Sequence, residues 1–337
     1  VVPAKGRDQS DGENWRASTQ RSGSPGAPDP DAVEPSRVLV NEILTRTASG
    51  VQQVELFNAG SSPADVSGWF LTNDLSVPGK FRLPAGTVLP PGGYAVFTTE
   101  HFAGSPGPDG ALSFAATGDS VWLISANSVG LPAGYVHGFS FGAAEEEVSF
   151  ARWVNSKGDE QFPAAQDSTF GSANTEPLSP AIQVSEIHYR PVAAGVEWVE
   201  LRNNRRFPII LKGWKLDGLG FTFPDGAEIP ARGMALVVQG DPAAFRERYE
   251  IAEVVAIFGN APGTLQDDGE EVALRQPSDL DPQSFVTVER VRYNDKDPWP
   301  VWAARDGYSL QRIPAVGYGD DPAAWLAGKP SPGVDTS

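Results

Sequence analysis

Apolar and polar residues alternate along many short stretches of this chain. Val272 and Leu274, for example, alternate with Glu271, Ala273 and Arg275, which is the period-two pattern of a strand with one buried face. Clusters rich in Gly, Pro, Asn and Asp, such as NAGSSP, PPGG and DDGE, separate these stretches. They recur about every 8–12 residues, the spacing typical of β-sandwiches and barrels. The pattern therefore predicts an all-β protein.

The same series of motifs occurs twice along the chain. The matched blocks are 38–71 with 182–216, 81–97 with 221–237, 117–124 with 268–275, and 148–152 with 308–312. The matched residues of the first block are Glu42 with Glu186, Glu55 with Glu200, Asn58 with Asn203, and Trp69 with Trp214. Blocks that recur in one order indicate a duplication. The sequence therefore predicts two tandem domains of the same fold.

The repeats set the predicted domain boundaries. We place the first sandwich at residues 38–174 and the second at 182–334, joined by linkers at 31–37 and 175–181. Pro-rich sequences around both linkers, APDPDAVEPS and NTEPLSP, favour stiff spacing. Residues 1–30 resemble the end of the second repeat, because both contain Trp followed by Ser-Pro-Gly. They are predicted to be the C-terminal remnant of an upstream repeat, in a piece of a longer protein.

One helix is predicted within the second repeat, at residues 241–251. Asp241 suits the N-cap, and Pro242 suits the first helical position, where its missing N–H costs nothing. Phe245 and Tyr249 are four residues apart, so one helix face can pack on the sandwich. The first repeat has TEHFAGSPGPDG at this place, for which a loop is predicted. The fold class is therefore all-β, with one short helix inserted in the second domain.

Charge and cysteine content exclude several classes of function. The net charge is −17, and such a chain repels phosphate backbones, so nucleic-acid binding is disfavoured. The local exception is RNNRRFPIILKGWK, a basic stretch over residues 202–215, which we interpret as a solvated strand edge. The chain has no cysteine, which excludes disulfides and thiolate metal sites. No apolar run approaches the roughly 20 residues that a membrane-spanning helix needs.

A Gly-Trp pair begins a predicted strand in each repeat, at Trp69 and at Trp214. Leu71 and Leu216 lie two positions later, on the same strand face as the tryptophans. Burying a tryptophan removes about 150–250 Å² from water, worth at most about 4–6 kcal/mol at about 25 cal/mol/Å². Trp69 and Trp214 are therefore predicted core anchors.

Histidine does not form a recognisable catalytic or metal-binding pattern in this sequence. His101, His137 and His188 are far apart, and neither HExxH nor His-x-His occurs,. The nucleophile motif G-x-S-x-G is also missing,. We interpret all three histidines as ordinary strand residues.

Paired glutamates are the main candidates for chemistry. Glu42 with Glu55, and Glu186 with Glu200, fall on neighbouring predicted strands, where two carboxylates can act as an acid–base pair. They can instead accept hydrogen bonds from backbone N–H groups, as buried carboxylates must. Because both repeats contain the pair, the structural interpretation is favoured. Asn58 and Asn203, also present in both repeats, are interpreted as turn residues.

Acidic loops leave calcium open as a ligand. The best candidates are Asp267, Asp268 and Glu270 in QDDGEE, since Ca²⁺ prefers carboxylate and carbonyl oxygens. None of the acidic stretches matches the twelve-residue loop of an EF-hand. No other cofactor is predicted.

An aromatic group in the second repeat is the candidate ligand-binding surface. Trp299, Trp302 and Tyr308 lie close together in DPWPVWAARDGY. Exposed aromatic rings can stack on sugars, and the first repeat lacks the Trp pair. Divergence of a binding face after duplication would produce this difference.

Taken together, the motifs resemble the lamin tail domain family. The resemblance rests on NEI or SEI, then VELxN, then SGWxL or KGWKL, then F-x-x-P-x-G and GDxVxL, ending in SLQR and SPG. It covers residues 38–174 and 182–334 and implies an immunoglobulin-like β-sandwich for each. One motif position differs between the two repeats: Glu289 occupies it in the second repeat and His137 in the first. The acidic charge argues against the DNA association of lamin tails.

The resemblance also carries expectations about function. Bacterial members occur in tandem within large secreted or cell-surface proteins, often beside kinase-like or hydrolase domains. The chain is thus expected to be a non-catalytic structural or interaction module that spaces or anchors partners outside the cell. The alternative is a ligand-recognition module for an extracellular glycan or protein. An enzyme that uses the paired carboxylates is the least favoured hypothesis.

Overall fold

The computed structural model describes residues 37–192, 195–305, 307–313 and 317–334, together with Gly26 and two short strands near the N-terminus. Those strands, β1 (Val2–Pro3) and β2 (Trp15–Arg16), pair antiparallel. The rest of the predicted upstream remnant, residues 1–30, lies outside the described residues, and so does most of the predicted linker 31–37. Contacts divide the chain into two compact units.

The first unit comprises Val1–Trp153 and Phe162–Glu176. One of its sheets has the order β12-β3-β4-β9, formed by β3 (Val38–Leu44), β4 (Gln53–Asn58), β9 (Tyr94–Thr98) and β12 (Phe150–Ala151). The other has the order β11-β10-β6-β7, formed by β6 (Phe70–Thr72), β7 (Phe81–Arg82), β10 (Asp119–Ala126) and β11 (Pro132–Phe141). The strands β5 (Ala64–Asp65) and β8 (Val88–Leu89) form a separate pair.

The second unit comprises Val154–Gln161 and Pro177–Ser337. Its six-stranded sheet is formed by β15 (Ile182–His188), β16 (Trp198–Asn203), β21 (Met234–Val238), β22 (Ala256–Phe258), β25 (Ser309–Arg312) and β26 (Trp325–Gly328). These strands lie in the order β22-β21-β16-β15-β25-β26. Its four-stranded sheet has the order β19-β18-β23-β24, formed by β18 (Lys215–Leu216), β19 (Phe221–Thr222), β23 (Gly269–Pro277) and β24 (Phe285–Asn294). The remaining short strands are β13 (Trp153–Val154), β14 (Glu160–Gln161), β17 (Ile209–Ile210) and β20 (Glu228–Ile229).

The inward faces of the two sheets in each unit form its core. In the first unit the core includes Val40, Leu56, Leu71 and Leu123, all fully buried, and in the second it includes the corresponding aliphatic residues of β15, β16, β18 and β23. Burial of such side chains is worth roughly 1.5–3 kcal/mol each before the entropy of ordering is subtracted. The alternating apolar residues thus lie on these inward faces, and the predicted all-β architecture of two β-sandwiches is confirmed.

The predicted helix of the second unit is confirmed as α2 (Pro242–Tyr249). The Asp241 side chain accepts a hydrogen bond from the Ala244 N–H at 2.8 Å, and Pro242 occupies the first turn. Phe245 is buried in a second apolar cluster with Trp198. This cluster is separate from the sandwich core, so α2 covers an apolar patch formed partly by β16 and β21.

The loop predicted at the same place in the first unit is wrong, because a short helix, α1 (Thr99–Gly104), forms there. Thr98 and His101 close a capping box at its start, with the Thr98 N–H donating to His101 Nδ1 at 3.1 Å. Phe102 anchors the helix, since its ring packs edge-on against Phe81 at 5.2 Å. His101 is consequently a helix residue and not a strand residue. Among the described residues, neither helix is long and apolar enough to cross a lipid bilayer.

Candidate functional site

The paired glutamates occupy equivalent places in the two units. Glu42 on β3 lies opposite Glu55 on β4, and Glu186 on β15 lies opposite Glu200 on β16. In each first strand a β-bulge immediately precedes this pair. All four residues are at most 3% exposed. Buried carboxylates need hydrogen-bond donors, so the donors determine what these residues do.

In the first unit the donors come mainly from the end of the repeat. The Ser149 hydroxyl donates to Glu42 at 2.6 Å, and the Thr169 N–H donates to the same carboxylate at 3.1 Å. The Gly171 N–H donates to Glu55. The two glutamates therefore hold the turn at 169–171 against the first two strands.

The second unit repeats this arrangement. The Ser309 hydroxyl donates to Glu186, and Ser331 donates to it through its N–H at 3.0 Å and its hydroxyl at 2.8 Å. The Gly333 N–H donates to Glu200 at 2.6 Å. We call each pair, Glu42 with Glu55 and Glu186 with Glu200, a carboxylate clamp. Each clamp ties the last turn of its repeat to the first two strands of that repeat.

Burial shifts the acid–base properties of both clamps in one direction. It raises the pKa of Glu42, Glu55 and Glu186, and it raises the pKa of Glu200 to about 7. Hydrogen bonds from the last turn oppose this effect, and the neighbouring Glu186 charge adds to it at Glu200. A raised pKa is also found in catalytic acids. In both units the last turn of the same repeat supplies donors to these carboxylates, so each clamp holds that turn.

The motif position that differs between repeats has the same structural role in both. In the second unit Glu289 accepts the Val184 N–H at 2.9 Å, and in the first unit His137 Nδ1 accepts the Val40 N–H at 2.9 Å. Both N–H groups border the bulge in the first strand of the repeat. Nδ1 can accept only when it carries no proton, so the imidazole must be neutral in this bond.

Glu289 has a further partner that makes it a buried ion pair. Arg312 Nη1 lies 3.3 Å from Glu289 Oε1, and both side chains are at most 3% exposed. Burial raises the pKa of Glu289 to about 7, although the Arg312 charge lowers it. Removing one member of such a pair typically costs about 3–5 kcal/mol, because the other charge is left buried and unpaired.

Asn58 and Asn203 have more partners than ordinary turn residues. The Asn203 amide donates to the carbonyls of Phe207, Ile229 and Pro230 at 2.9–3.1 Å, and its Oδ1 accepts the Arg205 N–H at 2.8 Å. Asn58 makes the equivalent bonds to the carbonyls of Ser62, Leu89 and Pro90 and to the Gly60 N–H. We call each set an asparagine cage. Each cage joins two neighbouring turns through the side chain of one asparagine.

Comparison with known families agrees with this repeated geometry. The model of the lamin tail domain family matches residues 32–135 and 175–293, which together are more than half of the chain. The chain belongs to the lamin tail domain family. Comparisons with curated proteins and with solved structures gave no match. The two units are therefore tandem lamin tail domains with an immunoglobulin-like fold, as the motifs predicted.

The predicted aromatic surface of the second lamin tail domain is only partly exposed. Trp299 is 6% exposed and packs in the core beside Trp325, with ring centroids 6.4 Å apart. The interpretation of Trp299 as a surface residue is therefore wrong, because its ring fills the sandwich interior. Trp302 is 53% exposed. The Tyr308 ring lies 6.2 Å from the Trp302 ring, and the Arg305 guanidinium stacks over the Trp302 ring at 3.9 Å.

The two predicted tryptophan anchors differ in depth. Trp214 is 7% exposed and belongs to the core of the second lamin tail domain. Trp69 is half-buried, packed at the border of the first core beside Tyr135 at 5.8 Å. Leu71 and Leu216 are fully buried, as predicted. Trp69 should thus contribute less to stability than Trp214.

The predicted calcium loop contains carboxylates that already have partners. Asp267 lies 3.9 Å from Arg190, and Glu270 accepts the Gln266 N–H at 2.8 Å. Within the described ranges, no three His, Asp or Glu side chains converge into a metal site. Calcium binding at Asp267, Asp268 and Glu270 stays a prediction.

His188 is an interior residue of the second lamin tail domain. It is 2% exposed, and its Nδ1 lies 2.9 Å from the Tyr308 carbonyl. Burial lowers the pKa of His188, so the neutral form is favoured, with Nδ1 donating to the carbonyl. The interpretation of His188 as a structural strand residue agrees with this environment.

Proposed function

We propose that the tandem lamin tail domains form a non-catalytic structural and interaction module of a larger secreted or cell-surface bacterial protein. In this role the module spaces or anchors its partners. The observation that carries the proposal is the use of the carboxylate clamps. The buried glutamates that most resemble acid–base catalysts accept hydrogen bonds from the last turn of their own repeat. A catalytic acid or base must instead reach a substrate proton.

The position of each clamp along the chain supports a spacing role. Glu186 lies on the first strand of its repeat, whereas Ser331 and Gly333 lie in its last turn. The segment that begins the second sandwich is thus directly hydrogen-bonded to the segment that ends it. A pull applied through the two ends of the repeat would load these bonds. A module that transmits tension benefits from such a closure.

The test uses force spectroscopy on the complete chain, comparing Glu186→Ala with a matched control, Glu100→Ala. Glu100 is an exposed glutamate of α1. The clamp variant should unfold its repeat at lower force, while the control should unfold like the parent. Equal unfolding forces for all three proteins would contradict the closure argument. Turnover of a generic hydrolase or kinase substrate that Glu186→Gln abolishes would contradict the non-catalytic assignment.

Ligand recognition is a second candidate function, favoured by Trp302. Its ring is half exposed, and the residue lies in a 3-10 turn at Val301–Ala304. Arg305 already covers one ring face at 3.9 Å, so a sugar would have to stack on the other face or displace it. Carbohydrate or peptidoglycan fragments are the ligands that this surface would take.

A thermal-shift panel with polysaccharides, peptidoglycan fragments, Ca²⁺ and duplex DNA tests this candidate. A ligand at about a hundred times its dissociation constant adds roughly 2.7 kcal/mol of stability. Trp302→Ala should remove such a shift and leave the melting temperature of the free protein unchanged. Trp299→Ala is the matched comparison and should destabilise the domain by about 3–5 kcal/mol, as loss of a buried Trp does. A shift that survives Trp302→Ala would exclude this surface.

A further inference from the structure

The asparagine cage of the second domain presents a cluster of exposed cationic side chains. Arg205 and Arg206 follow Asn203 in one turn, and Arg232 lies in the neighbouring turn, where its N–H donates to the Arg205 carbonyl at 3.0 Å. Phe207, beside them, is 61% exposed. We call Arg205, Arg206, Phe207 and Arg232 the arginine patch. Because the cage bonds both turns together, these side chains project from one hydrogen-bonded base.

The three arginines have no acidic partner in the described part of the chain. No ion pair joins Arg205, Arg206 or Arg232 to a carboxylate there, whereas nearby Lys212 is paired with Asp225 at 3.1 Å. The patch is thus an uncompensated positive site on a chain of net charge −17. A solvated strand edge, as the sequence indicated, would not require such a concentration of one sign of charge.

The first domain shows that the fold does not need these residues. Its asparagine cage has the same hydrogen bonds around Asn58, but its turns contain Gly60, Ser61, Ser62 and Gly92 at the corresponding positions. The scaffold is therefore common to both repeats, and the cationic and aromatic side chains belong to one of them. Stability alone does not explain the difference.

The backbone conformation of Arg232 indicates that stability did not select the residue at this position. Its φ is +55°, in the left-handed region, and the matching residue of the first domain is Gly92 with φ +68°. A side chain in this region is sterically disfavoured, whereas glycine is not. Backbone strain of this kind concentrates at sites of function. The arginine at this glycine position therefore indicates that its side chain has a function.

From this geometry we infer that the arginine patch binds an acidic segment of a partner protein, one that carries an aromatic or aliphatic side chain among its carboxylates. Guanidinium groups match carboxylates through two parallel hydrogen bonds, and Arg and Phe are enriched in protein interfaces. Exposed Phe207 and Ile210, at 61% and 64%, supply the apolar contact. The inference deepens the interaction part of the proposed function and rests on it.

Charge selects a short acidic segment over a nucleic acid. Electrostatic attraction to the patch extends about 8–10 Å in physiological salt, which covers a few carboxylates of a peptide. A duplex would extend its phosphates over the surrounding surface of this acidic chain, where they are repelled. Protein carboxylates are therefore the favoured ligand.

The experiment measures binding of a random glutamate–tyrosine copolymer and of poly-glutamate to the complete 337-residue chain. The test variant carries the first domain's residues: Arg205→Gly, Arg206→Ser, Phe207→Ser and Arg232→Gly. We expect the parent to bind the copolymer more tightly than poly-glutamate, and the variant to lose at least tenfold in affinity for the copolymer. Its melting temperature should stay the same or rise, because glycine relieves the strain at position 232.

A control removes the same number of positive charges elsewhere, by Lys157→Ser, Lys296→Ser and Lys329→Ser. These lysines are exposed, and the control should bind the copolymer like the parent. Equal losses in both variants, or no binding of the copolymer by the parent in low salt, would overturn the inference. Tighter binding of duplex DNA than of the copolymer would overturn it too. None of these substitutions touches a carboxylate clamp, so the force experiment on the spacing role fails or succeeds independently.

Discussion

Substitution of Asn203 tests the asparagine cage most directly. Its amide has two hydrogens, which three carbonyls share, and the Ile229 carbonyl among them is buried,. Asn203→Ala leaves that carbonyl without a partner, at about 1–3 kcal/mol, and loses further bonds worth about 1 kcal/mol each to groups that water can reach. The expected loss is about 3 kcal/mol. Asn203→Asp should cost more, because a carboxylate oxygen would then face the carbonyls.

Thermal and urea unfolding of the complete chain provide the measurement. For domains of this size about 3 kcal/mol corresponds to a fall of roughly 6–12 °C in the melting temperature of the affected unit. The neighbouring Asn204 is the control, since its bonds to the Pro180 carbonyl and to Gln183 are long, at 3.3 and 3.2 Å. Asn204→Ala should cost less than about 1 kcal/mol. If Asn203→Asp proved as mild as Asn204→Ala, the cage would not be holding the turns together.

Two further predictions concern the buried groups. In the folded protein the pKa of Glu200 is raised from 4.5 to about 7, so the folded state binds the Glu200 proton more tightly than the unfolded state does. The resulting contribution to the free energy of unfolding is fully present below about pH 4.5 and is lost as the pH rises through about 7. Urea unfolding between about pH 5 and pH 8 should show this loss, at most about 3 kcal/mol, and Glu200→Gln should remove it. An unchanged pH dependence in the variant would refute the assignment. Trp214→Ala should cost about 3–5 kcal/mol, and Trp69→Ala clearly less because its ring is half-buried,; equal costs would contradict the difference in depth.

Much of the fold could be predicted because its signals are local and occur twice. The alternation around Val272, the turn clusters and the matched blocks were sufficient for two tandem β-sandwiches. Helix α1 escaped prediction because six residues are too few to show a helical period, and its anchor Phe102 could equally belong to a strand. A capping box in which His101 takes the place of Glu or Gln at the third position is also outside the usual sequence signature.

The candidate site was predictable in outline and not in detail. The repeat identified the paired glutamates and favoured a structural role, but it did not identify the turn at 169–171 as the counterpart of 331–333, since Thr-Phe-Gly differs from Ser-Pro-Gly. Trp299 and Trp302 have similar neighbours in the sequence, so local pattern could not distinguish the buried ring from the exposed one. Packing against Trp325 decided that.

For this protein, the sequence by itself determined the fold class, the duplication and the family, because periodicity and repeated motifs depend only on residues close along the chain. The tertiary structure decided what the polar residues do. Glu42 meets Thr169, and Glu186 meets Ser331, across separations of 127 and 145 residues. Which donor reaches a buried carboxylate, and which arginine remains unpaired, depends on strand register and on the routes of distant loops. Strand register and loop routes are properties of the packed sheets, so no short stretch of the sequence determines them.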